Sequence, residues 1–125
     1  MIRGIGTDIL SIERAMAALE RTPKIASRVL APDELVGFDQ SSDRVRYFAK
    51  RFAAKEAIVK ALGTGIGRGV SWQHVIIYKD TLGKPLVRLS GGALERAQLM
   101  DVQTVHLSYS DEQAYVVAFA IAEDS

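Results

Sequence analysis

The sequence has no cysteine among its 125 residues. This absence excludes disulfide bonds, thiolate metal sites and cysteine nucleophiles, and it fits a protein of a reducing compartment. No apolar run approaches the roughly 18 residues that a membrane-spanning helix needs, and the first residues lack the pattern of a signal peptide. These absences predict a soluble cytoplasmic protein that does not act at a membrane.

The sequence also lacks an excess of either charge. Its 16 Lys and Arg residues nearly balance its 15 Asp and Glu residues, which argues against a general binder of nucleic acid or another polyanion. The balance conceals an asymmetry, because residues 44–68 carry seven basic residues and one acid, whereas residues 95–125 carry one basic residue and six acids. One basic segment in a nearly neutral protein indicates a localised anionic ligand, or else only a solvated helix face.

The length is typical of one domain, so we expect residues 1–125 to form a single domain with one core. A core of this size is too small to enclose a deep active site. The periodicity of apolar residues predicts strands over residues 2–10, 74–79, 86–89, 103–110 and 114–121, and helices over residues 12–21, 23–30, from 32, 43–62 and 92–100. This order predicts an α+β fold, with helices packed on a mostly antiparallel sheet.

One glutamate is oddly placed on the longest predicted helix. Apolar residues at helical spacing form a stripe there, and Glu56 falls in its middle, between Phe52 and Val59. A buried carboxylate is costly unless it has a cation, a metal or a raised pKa. The simpler alternative is an ion pair within the helix with Lys60, four residues further on.

A second carboxylate, Asp8, lies near the end of the first predicted strand, after Gly4 and Gly6. Glycines within a strand often mark a place where another backbone comes close. Asp8 either caps the following helix or binds a hard cation. Mg²⁺ is usually held by one or two carboxylates together with waters and substrate phosphates, and Mn²⁺ suits the same donors. Asp8 and Glu56 beside a basic helix would suit a substrate that carries phosphate.

A glycine-rich segment, residues 63–69, follows the long helix. Nucleotide-binding glycines instead come after a strand and open a helix, whose N-terminal dipole attracts phosphate. Phosphate bound after a helix C-terminus would depend on Lys60 and on N–H groups of the loop. A helix cap followed by a loop is the simpler interpretation.

Two histidines are present. Alternation along residues 103–110 places His106 on the polar face of its strand, where it is more accessible than a core histidine. It is therefore either a functional residue or a structural hydrogen-bonding group. His74 has no polar companions, and we interpret it as structural.

Together these features resemble one family, the holo-acyl-carrier-protein synthases, which are the small class of 4'-phosphopantetheinyl transferases. Four ordered blocks carry the resemblance: residues 4–9 (GIGTDI, with Arg14 downstream), 51–65 (RFAAKEAIVKALGTG), 83–85 (GKP) and 106–110 (HLSYS). They span nearly the whole chain. The resemblance implies the 4'-phosphopantetheinyl transferase fold and transfer of the phosphopantetheine arm of coenzyme A to a serine of apo-acyl carrier protein, releasing 3',5'-ADP.

The resemblance also implies roles for individual residues. Asp8 and Glu56 would bind Mg²⁺, and Lys60 would complete the catalytic group with His106 close to the metal and coenzyme A. The implied coenzyme A contacts are Lys60, Gly63, Gly65 and His106, with Arg51, Lys84 and Pro85 as weaker candidates. The general base remains open between Glu56 (directly or through a metal-bound water), His106 and bulk water.

The family also implies partners. Basic residues of the first helices would dock an acidic helix of the carrier protein; here these are Arg14, Arg21, Lys24 and Arg28. They would form one stripe only if the helix continued through Pro23, and scattered solubilising charge is the alternative. The small members are trimers, so we expect a homotrimer with its sites at subunit interfaces.

One residue departs from the family pattern. Relatives often carry a second histidine where this chain has Asp111, which either orients His106 or a water, or is a turn residue. Two other functions are consistent with the fold: a coenzyme A-binding protein without the chemistry, and an interaction domain of a larger synthase. The presence of Asp8, Glu56 and Lys60 favours the enzyme.

Overall fold

The architecture is one strand, a run of helices and then mainly strands. A computed structural model describes residues 1–125. Its elements are β1 (Ile2–Ser11), α1 (Ile12–Arg21), α2 (Ile25–Val29), α3 (Pro32–Gln40), α4 (Arg44–Ala61), a 3₁₀ turn (Trp72–His74), β2 (Val75–Lys79), β3 (Pro85–Leu89), α5 (Gly91–Leu99), β4 (Thr104–Asp111) and β5 (Tyr115–Glu123). This arrangement confirms the predicted α+β class. No helix has both the length and the apolarity required to cross a membrane.

The strands form two antiparallel sheets. The larger has the order β1-β5-β4, and β2 pairs with β3 in a separate hairpin. In the larger sheet Asp8 lies opposite Ala118, whereas His106 lies opposite Ile121. Because side chains alternate along a strand, Asp8 points to the inner face, which α4 covers, and His106 points to the outer face.

Local signals set the helix ends. The Ser11 hydroxyl accepts a hydrogen bond from the Arg14 N–H at 3.2 Å, so Ser11 caps α1. Asp8 is therefore not the cap, and that alternative is wrong. Asp43 caps α4 by accepting from the Arg46 N–H at 3.0 Å. Gly63 ends this helix with φ of +78°, a left-handed conformation that favours glycine. The 3₁₀ turn was not predicted.

Helix α4 lies unusually close to β1. A Cβ atom added to Gly6 would lie 1.9 Å from the Ala57 carbonyl oxygen, and one added to Gly4 would lie 1.9 Å from that of Ala61. The buried residues of β5 that face α4 include Ala118 and Ala120. Glycine and alanine thus allow the two backbones to touch, which confirms the close approach expected from the strand glycines.

The substitution Gly6→Ala tests this contact. We expect it to lower the free energy of unfolding by about 3 kcal/mol or more, because the added methyl group requires backbone movement in a packed core. Gly83→Ala is the matched control: Gly83 has φ of +86° but open space around it, so only the strain of about 1 kcal/mol should appear. Urea denaturation at equal protein concentration measures both variants, and equal losses would contradict the proposed packing constraint.

Candidate active site

The contact between β1 and α4 brings Asp8 to Lys60. The Lys60 ammonium donates to the Asp8 carboxylate at 3.1 Å and to the Thr7 carbonyl oxygen at 2.9 Å. Asp8 is largely covered, with 18% of its side chain exposed, whereas half of the Lys60 side chain is exposed. Lys60 therefore pairs with β1 and not with Glu56, so the ion pair within the helix is wrong.

Glu56 is oriented by Trp72, which follows α4 in the sequence. Its Oε1 atom accepts a hydrogen bond from the indole N–H of Trp72 at 3.0 Å. The Trp72 ring packs against Phe52, with ring centroids 5.9 Å apart. Glu56 is only partly buried, and its second oxygen, Oε2, has no hydrogen-bond partner in the chain. The carboxylate is thus oriented but retains one oxygen for a ligand.

Asp8 and Glu56 belong to two elements, β1 and α4, that lie in direct contact. Gly4 lies against Ala61, and Gly6, two residues further along β1, lies against Ala57. The strand therefore runs antiparallel to α4, and two residues of β1 correspond to about one turn of the helix. Asp8 is two residues beyond Gly6, and Glu56 lies one turn before Lys60, which contacts Asp8. The candidate site therefore comprises the Asp8–Lys60 ion pair and Glu56, one turn before Lys60 on α4.

The two carboxylates, Asp8 and Glu56, suit a hard cation that takes most of its ligands from waters and substrate phosphates. No group of three or more His, Cys, Asp or Glu side chains is arranged to hold a metal ion. Mg²⁺ does not need such a group when waters and substrate phosphates supply its other ligands. Asp8 and the Oε2 atom of Glu56 offer the oxygen donors that this mode of binding requires, so the residues fit a metal shared with a phosphate substrate.

The glycine loop does not supply the N–H groups that were expected. The N–H groups of Gly63 and Gly65 donate to the carbonyl oxygens of Lys60 and Val59, at 3.0 and 3.3 Å. They complete the helix cap, so neither is free for phosphate, and the simpler interpretation of this segment is confirmed. Gly65 still has open space around it.

His106 lies apart from the carboxylates within one chain. It is exposed on the outer face of the sheet, and its Nε2 atom lies 2.9 Å from the Glu123 carboxylate. Asp8 is on the inner face, so the sheet separates the two residues. The polar-face prediction for His106 is confirmed, but its expected place beside the metal site is not found in the single chain. His74 is structural, since its Nδ1 atom accepts from the Ser71 N–H.

A cavity of about 320 Å³ lies beside Lys60 and is lined in part by exposed side chains of the outer face; its lining residues are Ile5, Gly6, Thr7, Lys60 and Phe119. Lys84 and Pro85 lie elsewhere, in the turn that opens β3. Neither makes a hydrogen bond or ion pair with Asp8, Glu56 or Lys60.

The basic residues of the first helices do not form one stripe. Helix α1 ends at Arg21, and α2 begins only at Ile25, because the chain breaks around Pro23. Arg14 and Arg21 lie together on the rim of a mainly apolar groove of about 250 Å³, whose floor includes Phe48 and Phe52. Lys24 and Arg28 are exposed on the following segment.

Comparison with known proteins assigns this arrangement to a family. Residues 4–120 match the family model described as the 4'-phosphopantetheinyl transferase superfamily. The chain belongs to this superfamily.

Its relatives match over almost their full length. The holo-[acyl-carrier-protein] synthase of Shewanella amazonensis is 54% identical over 121 residues, which cover 96% of this chain and 97% of that protein. The synthase of Vibrio parahaemolyticus is 52% identical over 98% of both chains.

Solved structures agree with the fold. The synthase of Neisseria meningitidis has a TM-score of 0.92 and 44% identity, and the match covers 99% of this chain and 100% of that chain. The synthase of Helicobacter pylori in complex with coenzyme A has a TM-score of 0.83 and 32% identity, with 95% and 99% covered.

Asp111, at the end of β4, contacts two basic residues of α4. Its carboxylate accepts from Arg46 at 2.8 Å and lies 3.3 Å from the Lys50 ammonium. Partial burial acts to raise the pKa of Asp111, but the hydrogen bonds from Arg46 and Lys50 outweigh it and hold the pKa below its usual value. Asp111 thus ties the β4–β5 turn to α4 and does not orient His106.

Sequence analysis missed a buried ion cluster. Glu34, only 2% exposed, binds the Arg51 guanidinium at 3.0 Å and the Lys55 ammonium at 2.6 Å. Arg51 also donates to the Ile77 carbonyl oxygen. Burial lowers the pKa of Lys55, and the Glu34 carboxylate opposes that shift.

The cluster changes the interpretation of Arg51. Its guanidinium was expected to contact coenzyme A, but it is held in the core by Glu34. One sequence signal was available, because Arg51 and Lys55 are like charges four residues apart, which repel unless an acid lies between them. The sequence did not indicate that Glu34, on another helix, is that acid.

Proposed function

We propose that this chain is a holo-[acyl-carrier-protein] synthase that acts as one domain, residues 1–125, in the cytoplasm. It transfers the 4'-phosphopantetheine group of coenzyme A to a serine of apo-acyl carrier protein, forming holo-acyl carrier protein and 3',5'-ADP for fatty acid biosynthesis. The observation that carries the proposal is the ion pair between Asp8 on β1 and Lys60 on α4, with the Glu56 carboxylate one turn before Lys60. Relatives of this name that match nearly the whole chain support it.

The reaction is a phosphoryl-type transfer. The serine Oγ attacks the phosphorus that bears the pantetheine arm, and the pyrophosphate P–O bond breaks, so that its electron pair leaves with 3',5'-ADP. Glu56 is the first choice for the base that takes the serine proton, either directly or through a water. Lys60 places positive charge beside the phosphates, where it offsets the unfavourable C-terminal dipole of α4.

Asp8 and Glu56 would together hold Mg²⁺, or Mn²⁺ with the same donors. When bound, the ion would neutralise charge on the pyrophosphate oxygens. Asp8 is held in place by Lys60, whose ammonium contacts its carboxylate at 3.1 Å. His106 is the second choice for the base, and it would have to come from another subunit.

Mass spectrometry of the carrier tests the activity directly. With coenzyme A, Mg²⁺ and apo-acyl carrier protein, we expect the carrier to gain the phosphopantetheine arm. Glu56→Gln should lower turnover by at least about 100-fold, because the base is lost, whereas Glu95→Gln, an exposed change on α5, should not. Binding of coenzyme A without transfer would contradict the proposal and support a binding protein instead, and full turnover of Glu56→Gln would eliminate Glu56 as the base.

We also propose that the protein assembles as a homotrimer with its sites at the subunit interfaces. The outer face of the larger sheet is apolar yet exposed: Ile5 is 61% and Ile9 64% exposed, and Val117 and Phe119 lie beside them. An apolar patch of this kind usually marks an interface. The cavity beside Lys60 opens at this face, and His106 lies on it, so a neighbouring copy would bring its own His106 toward Lys60.

The substitution Ile9→Glu tests the assembly. A charge buried at the interface without a partner should dissociate the trimer, and turnover should fall with it because each site is incomplete in the monomer. Val36→Glu, at a similarly exposed apolar residue on α3, is the control and should remain trimeric. Light scattering after size-exclusion chromatography measures the mass. A monomeric wild-type protein, or a fully active monomeric variant, would contradict the proposal.

The groove beside Arg14 and Arg21 is the proposed docking site for the carrier protein. Its two arginines face an apolar floor, which suits an acidic helix with apolar residues between its charges. Lys24 and Arg28 would extend the basic surface without lining the groove.

Charge reversal of Arg14 and Arg21 tests docking. We expect the association rate with apo-acyl carrier protein to fall in Arg14→Glu/Arg21→Glu and to fall with added salt in the wild type, since rim charges steer encounter. Arg88→Glu on β3 is the matched control. Stopped-flow measurement that found no salt dependence, or equal effects of both changes, would contradict this site.

A further inference from the structure

We propose that Trp72 is a positioning residue for Glu56: its indole N–H fixes Oε1 and so leaves Oε2 as the oxygen available to a ligand or a proton. This inference rests on the proposed function, because it concerns how Glu56 acts. The contact that carries it is the 3.0 Å hydrogen bond from Trp72 Nε1 to Glu56 Oε1.

Trp72 is itself held in place on several sides. Its carbonyl oxygen accepts from the Lys55 ammonium at 3.1 Å, and its ring packs against Phe52. Ser71 caps the 3₁₀ turn that carries it, by accepting from the Gln73 N–H at 3.2 Å. These contacts hold the backbone and the ring of Trp72 independently of Glu56.

Lys55 connects this turn to the buried ion cluster. Its ammonium contacts Glu34 at 2.6 Å and the Val29 carbonyl oxygen at 2.8 Å, in addition to Trp72. Lys55 and Glu56 are adjacent on α4 but point to opposite sides of Trp72, one to its backbone and the other to its indole. A partly buried side chain that packs against the core thus orients a partly exposed carboxylate, as outer-shell partners do for metal ligands.

The contact can be observed without activity or metal. Trp72 is the only tryptophan, so the indole region of a ¹⁵N–¹H spectrum holds one resonance per chain. Loss of the carboxylate in Glu56→Ala should move that resonance upfield and speed its exchange with solvent, while the backbone spectrum elsewhere stays the same. An unmoved indole resonance would overturn the proposal.

Kinetics then test positioning. Trp72→Phe keeps an aromatic ring against Phe52 but removes the donor, and it should lower kcat by about 10- to 100-fold with KM for coenzyme A within about twofold. If this variant does not fold, benzothienylalanine at position 72 keeps the shape of the indole and replaces its N–H by sulfur. A kcat within twofold of the wild type in a folded variant would overturn the inference.

Different results would contradict the proposed role of Glu56 and the proposed positioning role of Trp72. If Glu56→Gln retains full turnover, then the role of Glu56 is wrong whatever Trp72 does. If Glu56→Gln loses turnover while folded Trp72→Phe keeps it, only the positioning role of Trp72 is wrong. If KM changes and kcat does not, Trp72 shapes a binding surface and the inference is likewise overturned.

Discussion

The direct contact between helix α4 and strand β1 is the constraint on which the rest of the structure depends. Gly4 and Gly6 leave no room for a Cβ atom against the carbonyl oxygens of Ala61 and Ala57. This approach brings the Lys60 side chain to Asp8 across more than fifty residues of sequence. A separation larger by one methyl group would move Asp8 away from α4, and a short carboxylate side chain could not follow.

A second constraint lies on the other side of α4. Glu34 gathers Arg51 and Lys55 in the core, where two like charges could not remain without it. The cluster fastens α3 and the 3₁₀ turn to α4, because Lys55 also binds the Trp72 carbonyl oxygen. Glu56 therefore lies on a helix that packs against both β1 and the turn of Trp72, although part of its side chain reaches solvent.

The candidate functional residues lie on opposite faces of the larger sheet. Asp8 is on the face that α4 covers, and His106 is on the exposed face that also carries Ile9 and Phe119. A single chain therefore has the carboxylates and lysine on one side and the histidine on the other. The proposed trimer resolves this separation, since a neighbouring outer face would cover the apolar residues and present its histidine at the same time.

Sequence by itself determined the elements and the polarity of their faces. The limits of α1, the cap at Ser11, the end of α4 at Gly63 and the exposed position of His106 all follow from local rules: side-chain hydrogen bonds to nearby N–H groups, the conformational freedom of glycine and the two-residue repeat of a strand. The unusual placement of Glu56 among apolar residues was also visible, because it requires only the helical repeat.

Only the tertiary structure decided which partners the charged groups take. Lys60 binds Asp8 and not Glu56, Trp72 binds Glu56, Arg51 is held by Glu34, and Asp111 reaches Arg46. Each of these contacts joins residues that lie far apart in sequence. The local sequence pattern does not select among them, because any opposite charge within reach could pair with a given charged side chain. Packing selects one partner for each charged group. The backbone contact of α4 with β1 and the burial of Lys55 make ion pairs with other partners sterically or electrostatically unfavourable.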